Sequence, residues 1–467
     1  MNRLGHCLNY DFSLQLETAI AEEAERSSSL LTNQIYREPD HSKSLFHSDF
    51  DNYDQLLNNL TGSGSIHTAH GIMMQEVGGD LGILPEPATF PRTGKKSLDI
   101  IQPELPEVYV TTRKSPVLTI SQHVLPGSPD ALSKSIKHQL LWVLARKKYS
   151  VPQAIPSWSG FVSQSGSLPK QLTTIAYYPV IPNPITEYKT VAECLRYAEE
   201  ATNEVGQKYV ITTFDLGACM KAYPLVFNDP LKYKDHIVLI GSFHATMAYL
   251  KMIGKKMSGS GLEDILIEAD LMSSGSLKGV MSGKHFERSM HCHKVMFECL
   301  ERLLLEQFMI GREGSEWYST LPDESLQKLD KLLKSTSPEI LQTLLTETSL
   351  SKFMDSFLKF QDEIRVGKHG KTAKLWMSYM DHISLTLALQ EAVQDNNYLL
   401  FVYVLYLMAI LFFAYNGQNY ARHLTFIAMF LANIETSAPG TTQLLNTVHR
   451  RPIFCGKGMF LEINMHS

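Results

Sequence analysis

Acidic side chains at the ends of predicted strands and helices are the residues of this sequence whose types and spacing could do chemistry. Together with one histidine they are Asp51, Asp54, Asp215, Glu435 and His244. Carboxylates supplied by rigid elements far apart in the chain offer the hard oxygen ligands that divalent cations prefer. Metal ions held in this way activate the attacking oxygen and stabilise the leaving oxygen when a phosphodiester bond is cleaved. The competing interpretation is that these abundant residue types are solvated surface groups.

Two short apolar runs lead to Asp215 and His244. Residues 209–214 and 237–240 are continuous runs of β-branched, aromatic and aliphatic residues without alternation, which is typical of strands covered on both faces and favours an α/β fold. In such sheets, ligands and chemistry gather at the carboxyl ends of the strands. The structural alternative is that Asp215 caps the helix that follows it and that His244 packs at a helix start.

Asp51 and Asp54 follow another predicted strand, residues 44–50. A further strand is predicted over 66–77, and the turn between them is rich in Gly and Ser, which favours a hairpin. At a strand end, the two aspartates could bind a divalent cation through their oxygens. They could equally form an Asx-turn, a common use of Asp and Asn in loops.

A second group of metal-ligating residue types lies close together in sequence. Its members are His285, His291, Cys292 and His293. This segment is predicted to be helical, and residues two positions apart project from different faces of a helix. A structural or exposed role is therefore favoured over a metal site.

The sequence after His244 has a helical pattern, with helices predicted over most of residues 247–435. Residues 398–415 carry no charge over 18 positions, which is the threshold length for a transmembrane helix. The flanks of this run have no Lys or Arg bias, and its four tyrosines would be costly in the middle of a bilayer. A helix buried in a large helical region explains the run equally well.

Composition limits the classes of protein that this chain can belong to. The 467 residues carry a net charge of −5, so there is no global electrostatic attraction to nucleic acid, and basic residues cluster only at 146–148, 251–256 and 450–451. The six cysteines form no Cys-x-x-Cys pair, which argues against a zinc ribbon or a disulfide framework. The first residues lack the apolar core of a signal peptide, so an intracellular location is predicted. Nothing in the composition indicates a small-molecule cofactor.

Several short blocks along the chain are distinctive as a set. They lie at residues 51–54, 68–71, 214–222, 241–244, 252–262, 277–284, 375–381 and 419–424. Together they resemble a large set of uncharacterised, transposon-derived animal proteins, which are similar to cut-and-paste transposases with a ribonuclease H-like catalytic core. The resemblance covers most of residues 5–448.

The resemblance implies an α/β protein with a ribonuclease H-like mixed sheet and a large all-α insertion. Asp51 or Asp54 would be the first acid, on the first strand, and Asp215 the second, after the fourth strand. Glu435, on a late helix, would be the third acid, and His244 would follow the fifth strand. Mg²⁺ or Mn²⁺ would be held by Asp51, Asp215 and Glu435. The implied divisions are an N-terminal helix and loop (1–43), the α/β core (44–257, with a loop-rich excursion at 81–170), the helical insertion (258–415), the final core helix (416–449) and a divergent tail (450–467).

Two functions follow as hypotheses. The first is a transposase-derived protein, a domesticated or degenerate relative of a metal-dependent DNA strand-transfer nuclease, with DNA as partner and the nucleus as location. The second is a non-enzymatic helical scaffold protein. One form of this second hypothesis has the protein attached to a membrane through residues 398–415. Unlike active transposases, the chain has no zinc finger ahead of Asp51 and little basic character. Residues 450–467 no longer follow the family, as expected of a truncated or spliced-in end.

Overall fold

The computed structural model describes residues 45–56, 65–76, 104–110, 127–148, 155–165, 173–310, 317–334, 343–395 and 397–441, together with residues 15, 18, 19 and 94. The chain divides into an α/β unit, residues 1–117 with 171–239, and a helical unit, residues 118–170 with 240–467. Most of the predicted N-terminal helix and loop (1–43) and all of the divergent tail lie outside the described residues.

Strands and helices alternate in the first half of the described chain, and helices alone follow β5. In chain order, the elements are β1 (Phe46–Leu56), β2 (Ser65–Glu76), α1 (Pro129–Lys148), α2 (Trp158–Ser165), β3 (Thr173–Tyr177), α3 (Tyr188–Glu204), β4 (Val210–Phe214), α4 (Leu216–Asn228), β5 (His236–Ile240), α5 (Ser242–Met257), α6 (Leu262–Glu268), α7 (Ser274–Met281), α8 (Phe286–Met309), a 3₁₀ turn (Trp317–Thr320), α9 (Asp323–Lys334), α10 (Thr348–Arg365), α11 (Lys371–Gln394), α12 (Tyr398–Ala414), α13 (Gln418–Ala432) and α14 (Ile434–Ser437).

The α/β unit is organised on a five-stranded mixed sheet, so the predicted α/β class is confirmed. The strand order is β3-β2-β1-β4-β5. The first three strands pair antiparallel, as the predicted hairpin requires, whereas β1 and β4 run parallel. Every residue of β4 and β5 is buried, as their continuous apolar sequences predict. Helix α3 packs against β1, β2 and β4, and also against α4.

An aromatic cluster fixes β1 in the middle of the sheet. The ring of Phe50 stacks on Tyr178 and Phe214, with centroid distances of 5.0 and 5.8 Å. On the same face of β1, the Ser48 hydroxyl lies 2.7 Å from the Tyr178 hydroxyl. Gly71 on β2 sits directly against this cluster, because a Cβ atom there would lie 2.3 Å from the Phe50 ring. The cluster therefore joins β1, β4 and the residue that follows β3 through their side chains, and these pack against the backbone of β2 at Gly71.

β1 is longer than predicted and contains both candidate aspartates. Asp51 and Asp54 lie within the strand, opposite His70 and His67 of β2. The predicted strand end at residue 50 and the alternative of an Asx-turn at these two aspartates are therefore wrong. Pairing with β2 over eleven positions supplies backbone hydrogen bonds that extend the strand through polar residues.

The helical unit contains two helices that the sequence did not predict, α2 and α7. Helix α2 lies in a segment predicted to be a loop, because Ser and Gly are weak helix formers. It forms because Trp158 and Phe161 are buried against neighbouring helices of the unit. The indole N–H of Trp158 donates to the carbonyl of Leu387 at 3.0 Å, so its polar atom is satisfied in the core.

The predicted division of the chain differs from the observed one. The sequence predicts that residues 118–170 are part of a loop-rich excursion of the α/β core. In the structure they belong to the helical unit, in which α1 packs against α8, α11 and α12. Residues 139–145 form a continuous buried stretch of α1, so this helix is a core element of the helical unit. Helix α5 and the final helices also belong to that unit.

The uncharged run at 398–415 forms α12, which packs against α1, α5, α11 and α13. Its interpretation as a buried core helix is confirmed, since ten of its residues are buried and the Tyr398 hydroxyl donates to the carbonyl of Leu431 at 2.5 Å. Within the part of the chain that the structure describes, no helix is long and apolar enough to cross a membrane. The expectation of a membrane span at these residues is therefore not supported.

Candidate carboxylate site

The parallel pairing of β1 and β4 brings two predicted site residues together. The register pairs Asp49 with Thr213 and Phe50 with Phe214. Asp51 is the next residue of β1, and Asp215 is the residue that follows the last residue of β4. Neighbouring strands lie about 4.8 Å apart, so these two acids occupy adjacent positions at the carboxyl end of β4.

Asp215 is held in place by the helix that follows it. It is the N-cap of α4, with extended backbone angles (φ −65°, ψ 171°), and its Oδ1 accepts a hydrogen bond from the Ala218 N–H at 2.7 Å. The predicted capping role is therefore confirmed. Gly217 leaves room for this arrangement, because a Cβ atom there would lie 3.3 Å from Oδ2 of Asp215. A carboxylate has about four acceptor positions, so one capping bond leaves capacity for a further ligand.

Asp51 lies on β1 opposite His70 of β2. Its Oδ1 accepts from the backbone N–H of Asn52 at 2.8 Å, which restrains the carboxylate. The imidazole of His70 also contacts the ring of Tyr53, with centroids 4.9 Å apart, and both of these residues are exposed. This end of β1 is therefore open to solvent. Asp54 lies three positions further along, and its side chain is outside the described residues.

A third acid, Asp49, was missed by the sequence analysis. Side chains alternate along a strand, so Asp49 and Asp51 share one face of β1. Burial raises the pKa of the Asp49 carboxyl well above its ordinary value; the nearby Thr213 hydroxyl lowers it, and the charge of Asp51 raises it further. Oδ1 of Asp49 is buried and has no hydrogen-bond partner among the described residues. The Asp-x-Asp spacing on a predicted strand is the signal that could have found it.

The remaining predicted site residues, His244 and Glu435, belong to the helical unit. His244 is in the first turn of α5, where its ring contacts Phe243 and its carbonyl accepts from the Tyr420 hydroxyl at 3.2 Å. The interpretation that it packs at a helix start is therefore confirmed. Glu435 does not continue the preceding helix, which ends at Ala432, but lies in the short α14. Its Oε1 accepts from the N–H of Gly440 at 2.6 Å.

The histidine cluster of α8 is divided between two environments. His293 is buried and its Nδ1 lies 2.8 Å from the Tyr379 hydroxyl, whereas His291 is exposed. Burial lowers the pKa of His293 to about 4. The interpretation of this cluster as structural or exposed is confirmed. Across the described ranges, no group of three or more His, Cys, Asp and Glu side chains is arranged to hold a metal ion.

The local basic cluster at the end of α1 is internally paired. Each of its cations meets a carboxylate of the helical unit: Arg146 pairs with Glu298 at 3.0 Å, Lys147 with Glu306 at 2.6 Å and Lys148 with Asp330 at 2.9 Å. These pairs tie α1 to α8 and α9. The cluster is therefore part of the packing of the helical unit, and its charge is largely offset where it lies.

Comparison with known proteins places the chain in a family. The family model described as a domain of unknown function, DUF8702, matches residues 157–452. The chain belongs to the DUF8702 family. The match includes Asp215, His244 and Glu435, whereas β1 with Asp49 and Asp51 precedes it. No curated protein and no solved structure matches the chain significantly.

Proposed function

We propose that the α/β unit is a ribonuclease H-like core, and that this DUF8702 protein is a transposase-derived relative of metal-dependent DNA strand-transfer nucleases. The observation that carries the proposal is the parallel register of β1 and β4, in which Asp51 and Asp215 directly follow the last paired residues, Phe50 and Phe214. The resemblance of the chain to transposon-derived proteins implies an acid at each of these positions. The strand order, with β1 between antiparallel β2 and parallel β4, supports the same core.

Asp51 and Asp215 are the proposed ligands of Mg²⁺ or Mn²⁺. Their donor atoms fit these ions, since both side chains offer carboxylate oxygens. A bound divalent ion would supply an activated oxygen nucleophile and neutralise charge at a phosphodiester. Both carboxylates are oriented by a backbone hydrogen bond before any metal binds. Asp215 accepts from the Ala218 N–H, and Asp51 accepts from the Asn52 N–H.

Asp49 has a different role in this proposal. Three ionised carboxylates on neighbouring positions would repel one another, and the buried one is the costliest to ionise. Because its pKa is raised, Asp49 retains its proton more readily than an exposed aspartate. It therefore limits the negative charge of the site until a cation is bound.

Glu435 is proposed as the third acid and His244 as the histidine that follows the fifth strand. Both come from the resemblance, and both have structural contacts of their own in the helical unit. The conservative variants Glu435→Gln and His244→Gln test them. If they take part in the reaction, metal-dependent DNA cleavage falls while the fold of the helical unit is retained.

The first experiment measures Mn²⁺ binding to the full chain by isothermal titration calorimetry. Asp215→Asn is the informative variant, because Asn also caps helices but lacks the charge. The matched control is Asp229→Asn, which alters an exposed aspartate of the same unit whose Oδ1 accepts from the Lys232 N–H at 3.2 Å. We expect saturable binding by the wild type and the control, and at least tenfold weaker binding by Asp215→Asn.

The outcomes separate the two hypotheses. Equal Mn²⁺ affinity in Asp215→Asn and the wild type would overturn the site assignment. Binding accompanied by Mn²⁺-dependent nicking of supercoiled DNA supports an active nuclease, whereas binding without nicking supports a domesticated relative. A wild-type chain that binds neither Mn²⁺ nor DNA would leave the helical scaffold as the function.

A further inference from the structure

A cavity of about 470 Å³ that is partly open to solvent lies in the helical unit, between α1, α8, α10, α11 and α12. Pockets for small organic molecules usually have volumes of about 300–1,000 Å³. Most of the wall is apolar, and it includes Leu132, Ile136, Phe297, Leu358, Met380 and Leu407. The thioether of methionine adapts to different apolar shapes, which suits a wall that must accept a ligand. The cavity therefore has the size and the surface to hold a compact apolar body.

One part of the wall is polar and carries more negative than positive charge. Its charged members are Glu301, Asp362, Asp381 and Arg365. Arg365 is already engaged, since its Nη2 lies 2.8 Å from Asp381 Oδ1 and its Nη1 lies 2.8 Å from Asp362 Oδ1. An anionic ligand would have to compete with two carboxylates for this guanidinium. The polar end of the cavity is therefore unsuited to an anion and suited to a cation.

Glu301 is the buried acid of this wall. The side-chain amide of Gln361 donates to both of its carboxylate oxygens, at 3.0 and 2.8 Å, but an amide carries no compensating charge. Burial raises the pKa of Glu301 to about 7; the Gln361 hydrogen bond and the charge of Arg365 lower it, and the charge of Asp381 raises it. A cation beside Glu301 would stabilise the ionised carboxylate.

Gln139 adds an acceptor that lacks a partner among the described residues. Its side-chain nitrogen donates to the Ser384 carbonyl at 3.1 Å and to the Ser135 hydroxyl at 3.3 Å. Its Oε1 is buried and accepts no hydrogen bond from the described part of the chain, and the residue, which is only 1% exposed, lines the cavity. Buried acceptors are normally satisfied, so this oxygen points to a donor that is supplied by a ligand.

We propose that this cavity binds a small amphipathic amine, with the ammonium group at Glu301 and Gln139 and the apolar body against the leucine and methionine walls. An ammonium group has three donors and no acceptor, so it matches a wall that offers a carboxylate and an unpaired amide oxygen. A neutral alcohol would supply one donor and no charge. A carboxylate would meet three acids and an arginine that is already paired. The site is in the helical unit and does not depend on the proposed nuclease function.

The test is calorimetric titration of the full chain with three probes of equal length: octylammonium, octanol and octanoate. We expect octylammonium to bind saturably at one site, octanol to bind at least tenfold more weakly, and octanoate not to bind. Equal affinity for octylammonium and octanol would show that the apolar walls alone bind the probe, and would overturn the assignment of a cation site. The absence of saturable octylammonium binding would overturn the proposal as a whole.

Two variants locate the binding. Glu301→Gln removes the charge and Gln139→Leu removes the unpaired acceptor, and each is expected to weaken octylammonium binding at least tenfold. The matched control is Glu306→Gln, an exposed glutamate of the same helix that pairs with Lys147. If both cavity variants bind octylammonium as tightly as Glu306→Gln does, the proposed position of the ammonium group is wrong. If one cavity variant fails to fold, the other still decides the question.

Discussion

The Oδ1 atom of Asp215 accepts a hydrogen bond from the N–H of Ala218 at 2.7 Å, so this proposed metal ligand is also the N-cap of α4. Asp215→Ala and Asp215→Asn distinguish a residue that only caps the helix from one that also binds a metal ion. The difference arises because an asparagine can replace the cap but cannot replace the charge.

Asp215→Ala is expected to lower the free energy of unfolding by about 1 kcal/mol. Asp215→Asn should change it by only roughly a few tenths of a kcal/mol, because asparagine also caps helices. Urea denaturation without metal measures both effects. If Asp215 also binds metal, both variants lose the stabilisation that added Mn²⁺ gives to the wild type. A loss of stability in Asp215→Ala with unchanged stabilisation by Mn²⁺ in both variants would assign Asp215 to capping alone.

Relative to the wild type, Asp49→Asn is expected to become progressively more stable as the pH rises above 3.8, the ordinary pKa of an aspartate. The folded-state pKa of Asp49 is raised above its ordinary value of 3.8, so the folded protein binds the proton more tightly than the unfolded chain does. The wild type therefore loses stability as the pH rises above about 3.8, by up to about 1.4 kcal/mol per pH unit, until the folded-state pKa is reached. Asparagine does not titrate, so this slope should disappear in the variant.

Urea denaturation at several pH values measures the effect of Asp49→Asn. The matched control is Asp229→Asn, which alters an exposed aspartate of the same unit. A difference in stability between Asp49→Asn and the wild type that does not change with pH above 3.8 would contradict the raised pKa of Asp49.

His293→Gln is expected to reduce the loss of stability in mild acid. The folded-state pKa of His293 is lowered to about 4, below the ordinary value of 6.5, so the unfolded chain binds the proton more tightly. The wild type therefore loses stability as the pH falls from 6.5 towards 4, by up to about 1.4 kcal/mol per pH unit from this residue. The matched control is His291→Gln, since His291 is exposed on the same helix.

Trp158→Ala is expected to destabilise the helical unit by about 3–5 kcal/mol, the usual cost of truncating a large buried aromatic side chain. The substitution also removes the indole N–H that donates to the carbonyl of Leu387. Trp376→Ala is the comparison, because Trp376 is only half-buried and should cost less. Thermal unfolding followed by near-ultraviolet circular dichroism measures both. Equal effects of the two substitutions would contradict the core position of α2.

Local sequence patterns determined much of the secondary structure. The continuous apolar runs of β4 and β5 predicted buried strands because parallel strands are covered on both faces. The apolar circumference of α12 predicted a buried helix, and the two-residue spacing of His291 and His293 predicted two helix faces, because helical periodicity depends only on near neighbours in the chain. The N-cap of α4 was likewise predictable from an aspartate at the end of a strand.

Pairing between distant segments was decided only by the tertiary structure. The sequence did not reveal that β1 continues through Asp51 and Asp54, because polar residues extend a strand only when a neighbour such as β2 supplies the hydrogen bonds. Helix α2 has little intrinsic preference to form, and the burial of Trp158 stabilises it. Cations of α1 pair with carboxylates of α8 and α9 because these helices pack together from distant parts of the chain. The cavity lined by Gln139 and Glu301 forms for the same reason. Sequence alone specified which side chains each element carries, and the packing of those elements specified which side chains meet.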